Sequence, residues 1–351
     1  MSRSSSKPSS AHAARVRVAV SMGDPAGIGP EVTLKALRHP AVRRAVEPVL
    51  VGDPRVFERL AERRGWHLRF APFDPEGVPP QRGVPVFEVP MHGPVPEPGL
   101  PRTRATRVRC GDASYRALLA AVDLVRSGRA HALVTAPIAK AHWALAGHDA
   151  PGHTELLARV CGGVPVRMMM AGPRLRVVLM TTHLPLALVP QRVTSELVDD
   201  TIRITAAALR ERFGMPSPRL ALAGLNPHAG EGGLFGSEDE QILRPAVQRA
   251  RRRGIDVTGP LPADTVFFHA AEGAFDAVLS PYHDQGLGPF KLLHFRDGVN
   301  VTLGLPFVRT SPDHGTAFDI AGQDRADPES MVQALLLAAK MAERSLRRQG
   351  K

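Results

Sequence analysis

Cysteine is nearly absent. Cys110 and Cys161 are the two in 351 residues, too few and too far apart for a zinc ribbon or a disulfide framework. Such sparing use fits a reducing compartment. No apolar run approaches the roughly 18 residues that a membrane-spanning helix needs. The opening "MSRSSSKPSSAHAAR" also lacks the apolar centre of a secretory signal. Residues 1–14 read instead as a disordered tail, and the chain as a cytoplasmic protein with no membrane partner. Aromatic residues, at 5%, leave little to stack on nucleic-acid bases. A glycine is missing as well: "GDPAGIGPE" supplies Gly27 and Gly29 but has Val32 where the dinucleotide fingerprint would place a third. A nicotinamide cofactor, if bound, does not use that signature, and the stretch reads first as a turn with unusual backbone angles.

What is present is apolar and basic. With 43% hydrophobic residues the chain can bury a sizeable core, and its length calls for two domains or one large α/β domain with a lobe. The net charge of +11 comes mostly from arginines scattered along helices. That pattern argues against a nucleic-acid partner and for anionic small substrates.

Strand and helix signals alternate. "VRVAVSMGD" is a short strand, and "GPEVTLKALRHP" a helix with Pro30 in its first turn. "VEPVLVGD" is the next strand, followed by the amphipathic "PRVFERLAERRG", which Gly65 stops. Residues 71–109, crowded with proline and glycine, suit a long irregular excursion with short strands. A helix is expected from Asp112 to about Arg126, then the strand "AHALVTAP". "RLRVVLMTTH", "RLALAGLNPH", "AFDAVLSPYH" and "GVNVTLGL" continue the series, with helices near 194–212 and 238–252. Continuous apolar strands interleaved with helices predict an α/β fold around a parallel sheet covered on both faces.

Polar residues gather where these strands stop: Thr182 and His183, Asn226 and His228, His283 and Asp284. Ligands of open parallel sheets bind beyond the strands' carboxyl ends, so three histidines at equivalent places point into one crevice. Each alone reads as a hydrogen-bonded loop residue; three in succession read as ligands for a divalent metal with a position left open. His153 and Thr154 stand at a helix start and serve either as a cap or as a phosphate or carboxylate site. Lys291 and Arg309 are either solvated surface charges or substrate donors, whereas Asn300, inside an apolar strand, needs a partner. In "DHGTAFDIAG", Asp319 either caps a turn or accepts from ribose hydroxyls, and spacing favours the cap.

The blocks "MGDPAGIGPE", "TAPIAK", "PGHTELLA", "TTHLPL", "LNPHAGEGG", "PYHDQGLGPFK" and "GVNVTLGLPFVRTSPDHGTAFDIAG" resemble the 4-hydroxythreonine-4-phosphate dehydrogenase family of pyridoxal phosphate biosynthesis, over residues 16 to about 345. The resemblance implies an isocitrate/isopropylmalate-dehydrogenase-like fold of two α/β/α lobes with a cleft between them. Residues 15–135 with 298–351 would form one lobe and 136–297 the other, paired as a homodimer with its active site at the subunit interface. It implies His183, His228 and His283 as metal ligands, one of them from the partner subunit. His153, Thr154, Lys291, Asn300 and Arg309 fall on substrate-contact positions, with Lys291, His153 and Asp264 in catalytic roles. His314, Gly315 and Asp319 fall on the adenosine-binding loop, which raises Asp319 from cap to ribose partner. "TAPIAK" departs from relatives that carry asparagine or histidine before the lysine.

The expected chemistry is oxidation of a secondary alcohol by NAD or NADP with zinc, cobalt or magnesium polarising the hydroxyl. Decarboxylation of the 3-oxo acid follows, with Lys291 stabilising the developing charge. His283 then sits on a turn that glycines keep narrow, with Asp284 orienting an imidazole. The alternatives are a related dehydrogenase for 4-phosphothreonate, 4-phosphoerythronate or a cis-dihydrodiol, and a non-catalytic basic binding protein. Retention of all three histidines speaks against the last.

Overall fold

The computed structural model describes residues 15–348 and 350, apart from 79 and 81; the tail expected over 1–14 lies outside the described residues. Among the described residues twelve strands are formed: β1 (Val16–Ser21), β2 (Val46–Gly52), β3 (Phe70–Pro72), β4 (Val84–Glu88), β5 (Ala132–Thr135), β6 (Arg167–Ala171), β7 (Arg176–Leu179), β8 (Leu220–Ala223), β9 (Val257–Leu261), β10 (Ala277–Ser280), β11 (Val299–Leu303) and β12 (Val308–Pro312). They make one sheet in the order β3-β4-β2-β1-β5-β12-β11-β6-β7-β10-β8-β9. The helices are α1 (Gly29–Leu37), α2 (Pro40–Ala45), α3 (Pro54–Arg63), α4 (Arg104–Arg126), α5 (Lys140–Leu145), α6 (His153–Val160), α7 (Val189–Arg192), α8 (Ser195–Glu211), α9 (Arg244–Arg252), α10 (Ala263–Ala271), α11 (His283–His294) and α12 (Glu329–Arg348).

The sheet is not parallel throughout. From β3 to β12 all neighbours are parallel, as are β7, β10, β8 and β9, but β11 pairs antiparallel with both β12 and β6, and β6 with β7. The antiparallel centre therefore joins two parallel halves that run in opposite directions. "RMMMA" and "VRTSP" did not stand out as strands because each is short and begins with or contains arginine.

Local signals set the helix ends. Asp53 accepts a hydrogen bond from the Arg55 N–H at 2.9 Å and starts α3, with Pro54 in its first turn. Thr103 accepts from the Thr106 N–H and starts α4 at Arg104, eight residues before the helix expected from Asp112. The mid-helix Gly111 hid that earlier start. A Cβ there would lie 2.1 Å from the His142 carbonyl oxygen, so glycine lets α4 press against α5.

The stretch 283–294 is a helix rather than a glycine-narrowed turn. Its Gly286 serves packing: a Cβ would stand 2.6 Å from Val177 Cγ1 and 3.0 Å from Leu179 Cδ2, both on β7. Gly286→Ala gains roughly 1 kcal/mol of helix propensity but forces α11 off the sheet at a cost of about 1–3 kcal/mol. A thermal melt is expected to show a lower midpoint for this variant, and a higher one would contradict the packing role.

Candidate active site

The face of the antiparallel centre and the start of α11 enclose a cavity of about 360 Å³. Into it project side chains from within strands, Met168 and Met170 of β6, Asn300 of β11 and Arg309 of β12, together with the starts of α5, α6 and α11 and the loop after β12. Ligand space thus lies over the sheet face as well as beyond the strand ends.

One corner is built for an anion. Arg309 is 2% exposed, not a solvated surface charge. Its Nη1 donates to Thr302 Oγ1 at 2.9 Å and its Nη2 to Thr135 Oγ1 at 2.6 Å, while Nε has no partner. No carboxylate forms an ion pair with it among the described residues, and burial brings its pKa down to about 10. A buried guanidinium held by two hydroxyls is an uncompensated cation whose natural complement is a phosphate or carboxylate. Beside it α6 begins at His153 without a side-chain cap, so its first N–H groups and Thr154 face the same space. His153 Nε2 is sealed from solvent and has no partner among the described residues. Burial foremost, then Arg309 and Lys140, hold that imidazole neutral well below its ordinary range. Asn300 Oδ1 is likewise buried and unpartnered.

The opposite corner is built of imidazoles. The rings of His183 and His283 lie 5.5 Å apart between centroids. Burial, then Lys140 and His283, lower the pKa of His183, which favours the neutral ligand form. Asp284 Oδ1 stands 2.7 Å from His283 Nδ1, which orients the ring and leaves Nε2 open.

His228 does not join them. It stands on a loop, residues 227–233, where His228, Ala229 and Glu231 adopt φ of 51°, 54° and 42°. Each non-glycine residue there costs roughly 1–2 kcal/mol, a strain sustained by the fully buried Asp239, whose carboxylate accepts from the Leu225 and Asn226 N–H groups and from Asn226 Nδ2. The loop presents His228 to solvent beside Glu231, 3.0 Å away, and Glu231 first and Asp264 last raise its pKa. Asp264 is therefore near His228 and outside the cavity. Among the described residues no three metal-competent side chains meet.

His314 lines the cavity, with Nε2 buried and unpartnered, while Gly315 has nothing within 4 Å of a would-be Cβ. Asp319 is exposed on the following turn; its backbone carbonyl accepts from Gln323 Nε2, and no hydrogen bond to its carboxylate is made among the described residues. This loop is docked on the "GDPAGIGPE" segment, where the Ile28 N–H donates to the Thr316 carbonyl at 2.9 Å. Sequence reasoning missed Lys140, Thr135, Thr302 and Asp313. Asp313 stands at a strand end just before His314, so the rule that found the histidines would have found it.

Four imidazoles with depressed pKa values, His131, His153, His183 and His314, make a stability signature. Each binds its proton near pH 6.5 when unfolded but at lower pH when folded. The unfolded state then takes up more protons as pH falls below about 6.5, and stability drops. A buried histidine such as His153 contributes up to about 1.4 kcal/mol per pH unit in that window. The melting midpoint is expected to fall between pH 7.5 and 5.5, with a shallower slope for His153→Gln; equal slopes would refute the assignment.

Residues 44–338 match the family described as pyridoxal phosphate biosynthetic protein PdxA. The chain belongs to that family. It is 49% identical over 333 residues to the 4-hydroxythreonine-4-phosphate dehydrogenase of Geobacter metallireducens, covering 93% of this chain and 95% of the relative. Among solved structures, the enzyme of that name from Klebsiella pneumoniae superposes with a TM-score of 0.84 at 40% identity, over 93% of this chain and 98% of that one. A terephthalate 1,2-cis-dihydrodiol dehydrogenase from Burkholderia xenovorans gives 0.66 at 30% identity, over 93% and 98%. The isocitrate/isopropylmalate-dehydrogenase-like α/β class expected from the sequence holds. No described helix is long and apolar enough to cross a membrane.

Proposed function

We propose that this oxidoreductase oxidises the C3 hydroxyl of 4-phosphohydroxy-L-threonine with NAD or NADP, and that the resulting 2-amino-3-oxo-4-phosphohydroxybutanoate loses its carboxylate to give 3-amino-2-oxopropyl phosphate, in pyridoxine 5'-phosphate biosynthesis. The observation that carries the reading is the buried, uncompensated Arg309 in the same cavity as the His183–His283 pair.

Arg309, Thr154 and the start of α6 take the phosphate, with His153 offering Nε2 to it or to a substrate hydroxyl. Asn300 Oδ1 accepts from a substrate donor. His183 and His283 are two imidazole nitrogen donors, a set that fits zinc or cobalt better than magnesium. The third ligand in this reading is His228 of a second copy, whose Asp264 enters the site beside it. Support comes from large apolar side chains left exposed on or next to the elements that bear His228, Asp264 and His283: Leu234 at 73%, Phe268 at 65%, Leu292 at 86% and Phe295 at 75%. A divalent cation held there supplies Lewis-acid polarisation of the hydroxyl. NAD or NADP supplies the hydride acceptor, with His314, Gly315 and Asp319 receiving its adenosine half. Lys291 stabilises the negative charge that grows on the C3 oxygen as the carboxylate leaves. Both cysteines are free thiols, and the reading places the enzyme in the cytoplasm.

The test is NAD(P) reduction with 4-phosphohydroxy-L-threonine beside 4-phosphothreonate, 4-phosphoerythronate and a cis-dihydrodiol, before and after EDTA. Fastest turnover of the first, lost on chelation and restored by zinc or cobalt, is expected. Faster turnover of a competitor, or salt-sensitive DNA retention without any turnover, overturns the reading.

A further inference from the structure

Beside the cavity, paired with its lining residue Asp313, one cation is already matched. Lys291 Nζ donates to the backbone carbonyl of Asp313 at 3.1 Å and forms an ion pair with the same residue's Oδ2. It also stands 5.4 Å over the Phe295 ring. Asp313 is itself braced: its N–H donates to Ser330 Oγ at 2.9 Å, and that hydroxyl donates to the Gly298 carbonyl at 2.7 Å. The end of β12, the approach to β11 and the first turn of α12 are thus tied at one point, and the ammonium is pinned to it. We propose that Asp313 is a positioning residue that fixes the Lys291 ammonium for proton transfer to the substrate. The inference rests on the function proposed above.

Charge balance around the cavity points the same way. Lys291 is matched by Asp313, whereas Arg309 and Lys140, which lines the same cavity, have no acidic partner within ion-pair distance among the described residues. Those two cations are left to face the phosphate dianion, beside Thr154 and the start of α6. Burial raises the Asp313 pKa, with Lys291 opposing, so the carboxylate depends on this lysine for its charge. A half-buried pair contributes little to stability, which leaves function as the reason to hold it in the site. Once the C1–C2 bond breaks and CO2 departs, its electron pair is left on C2 as the enolate of the C3 ketone. A proton moves from Lys291 Nζ to C2, and solvent reprotonates the amine.

A double-mutant cycle tests this, with 4-phosphohydroxy-L-threonine as substrate. D313N is expected to lower kcat about 10²-fold while KM stays within about threefold, and D313E to recover much of the loss. The D313N/K291M double variant should be no slower than K291M, because both act through one ammonium. A D313N kcat near wild type, a loss confined to KM, or losses that multiply in the double variant would overturn the inference. If D313N fails to fold, D313E decides: kcat within about tenfold of wild type supports the role, and a loss equal to that of K291M overturns it. Wild-type enzyme inactive on this substrate would instead sink the proposed function; wild type active with K291M slow and D313N fast sinks this inference alone.

Discussion

His283→Ala is expected to lower kcat/KM by about 10³-fold or more and to strip divalent metal from the purified protein. In the proposed site this imidazole is both a ligand and part of what keeps the substrate hydroxyl next to the cation, and Lewis-acid polarisation of that oxygen is a matter of several kcal/mol in the transition state. His183→Ala should behave alike, because the two rings face each other at 5.5 Å. Asp284→Asn keeps the ligand but loses the carboxylate 2.7 Å from His283 Nδ1, and a loss of only about 10- to 100-fold is expected. Steady-state kinetics with metal analysis of each variant checks the series. Full metal content and unchanged kcat/KM in His283→Ala would remove this histidine from the site.

Arg309→Met should separate activity from stability. The guanidinium is buried, its pKa is brought down to about 10, and its hydrogen-bond partners are the hydroxyls of Thr302 and Thr135. An uncompensated buried charge destabilises the apoprotein, and a side chain of similar length without charge relieves it. The melting midpoint is therefore expected at or above that of wild type. With the phosphate's principal cation gone, kcat/KM should fall about 10³-fold, most of it in KM if the phosphate is held equally in ground and transition states. A lower midpoint with intact kinetics would make Arg309 a structural residue only.

Much of this was legible in the sequence. The strand-end positions of His183 and His283 followed from apolar runs stopping at polar turns, and the structure brings those two rings together. Asn300 was marked by polarity inside an apolar strand, and its Oδ1 is buried and unpartnered. Other features depend on contacts that no local pattern records. Arg309 stayed open between a surface charge and a substrate donor because its two threonine partners lie on other strands, one of them 174 residues away in the chain. Helix α11 was hidden by Gly286, Gly288 and Pro289, which locally signal a turn; Gly286 is there for close approach to β7. The antiparallel centre escaped because β6 and β12 are short strands defined by their neighbours. The exposure of His228 follows from a left-handed loop that Asp239, over ten residues onward, holds in place.

That exposed histidine would complete the proposed catalytic cavity of a second copy of the chain. Mixing His228→Ala with His283→Ala subunits and allowing exchange tests it directly. Each variant alone should be inactive. If His228 serves its neighbour, a mixed dimer carries both defects in one site and none in the other, so an equimolar mixture should recover about a quarter of wild-type activity by random pairing. No recovery, with exchange verified by mass, would contradict a site shared between subunits.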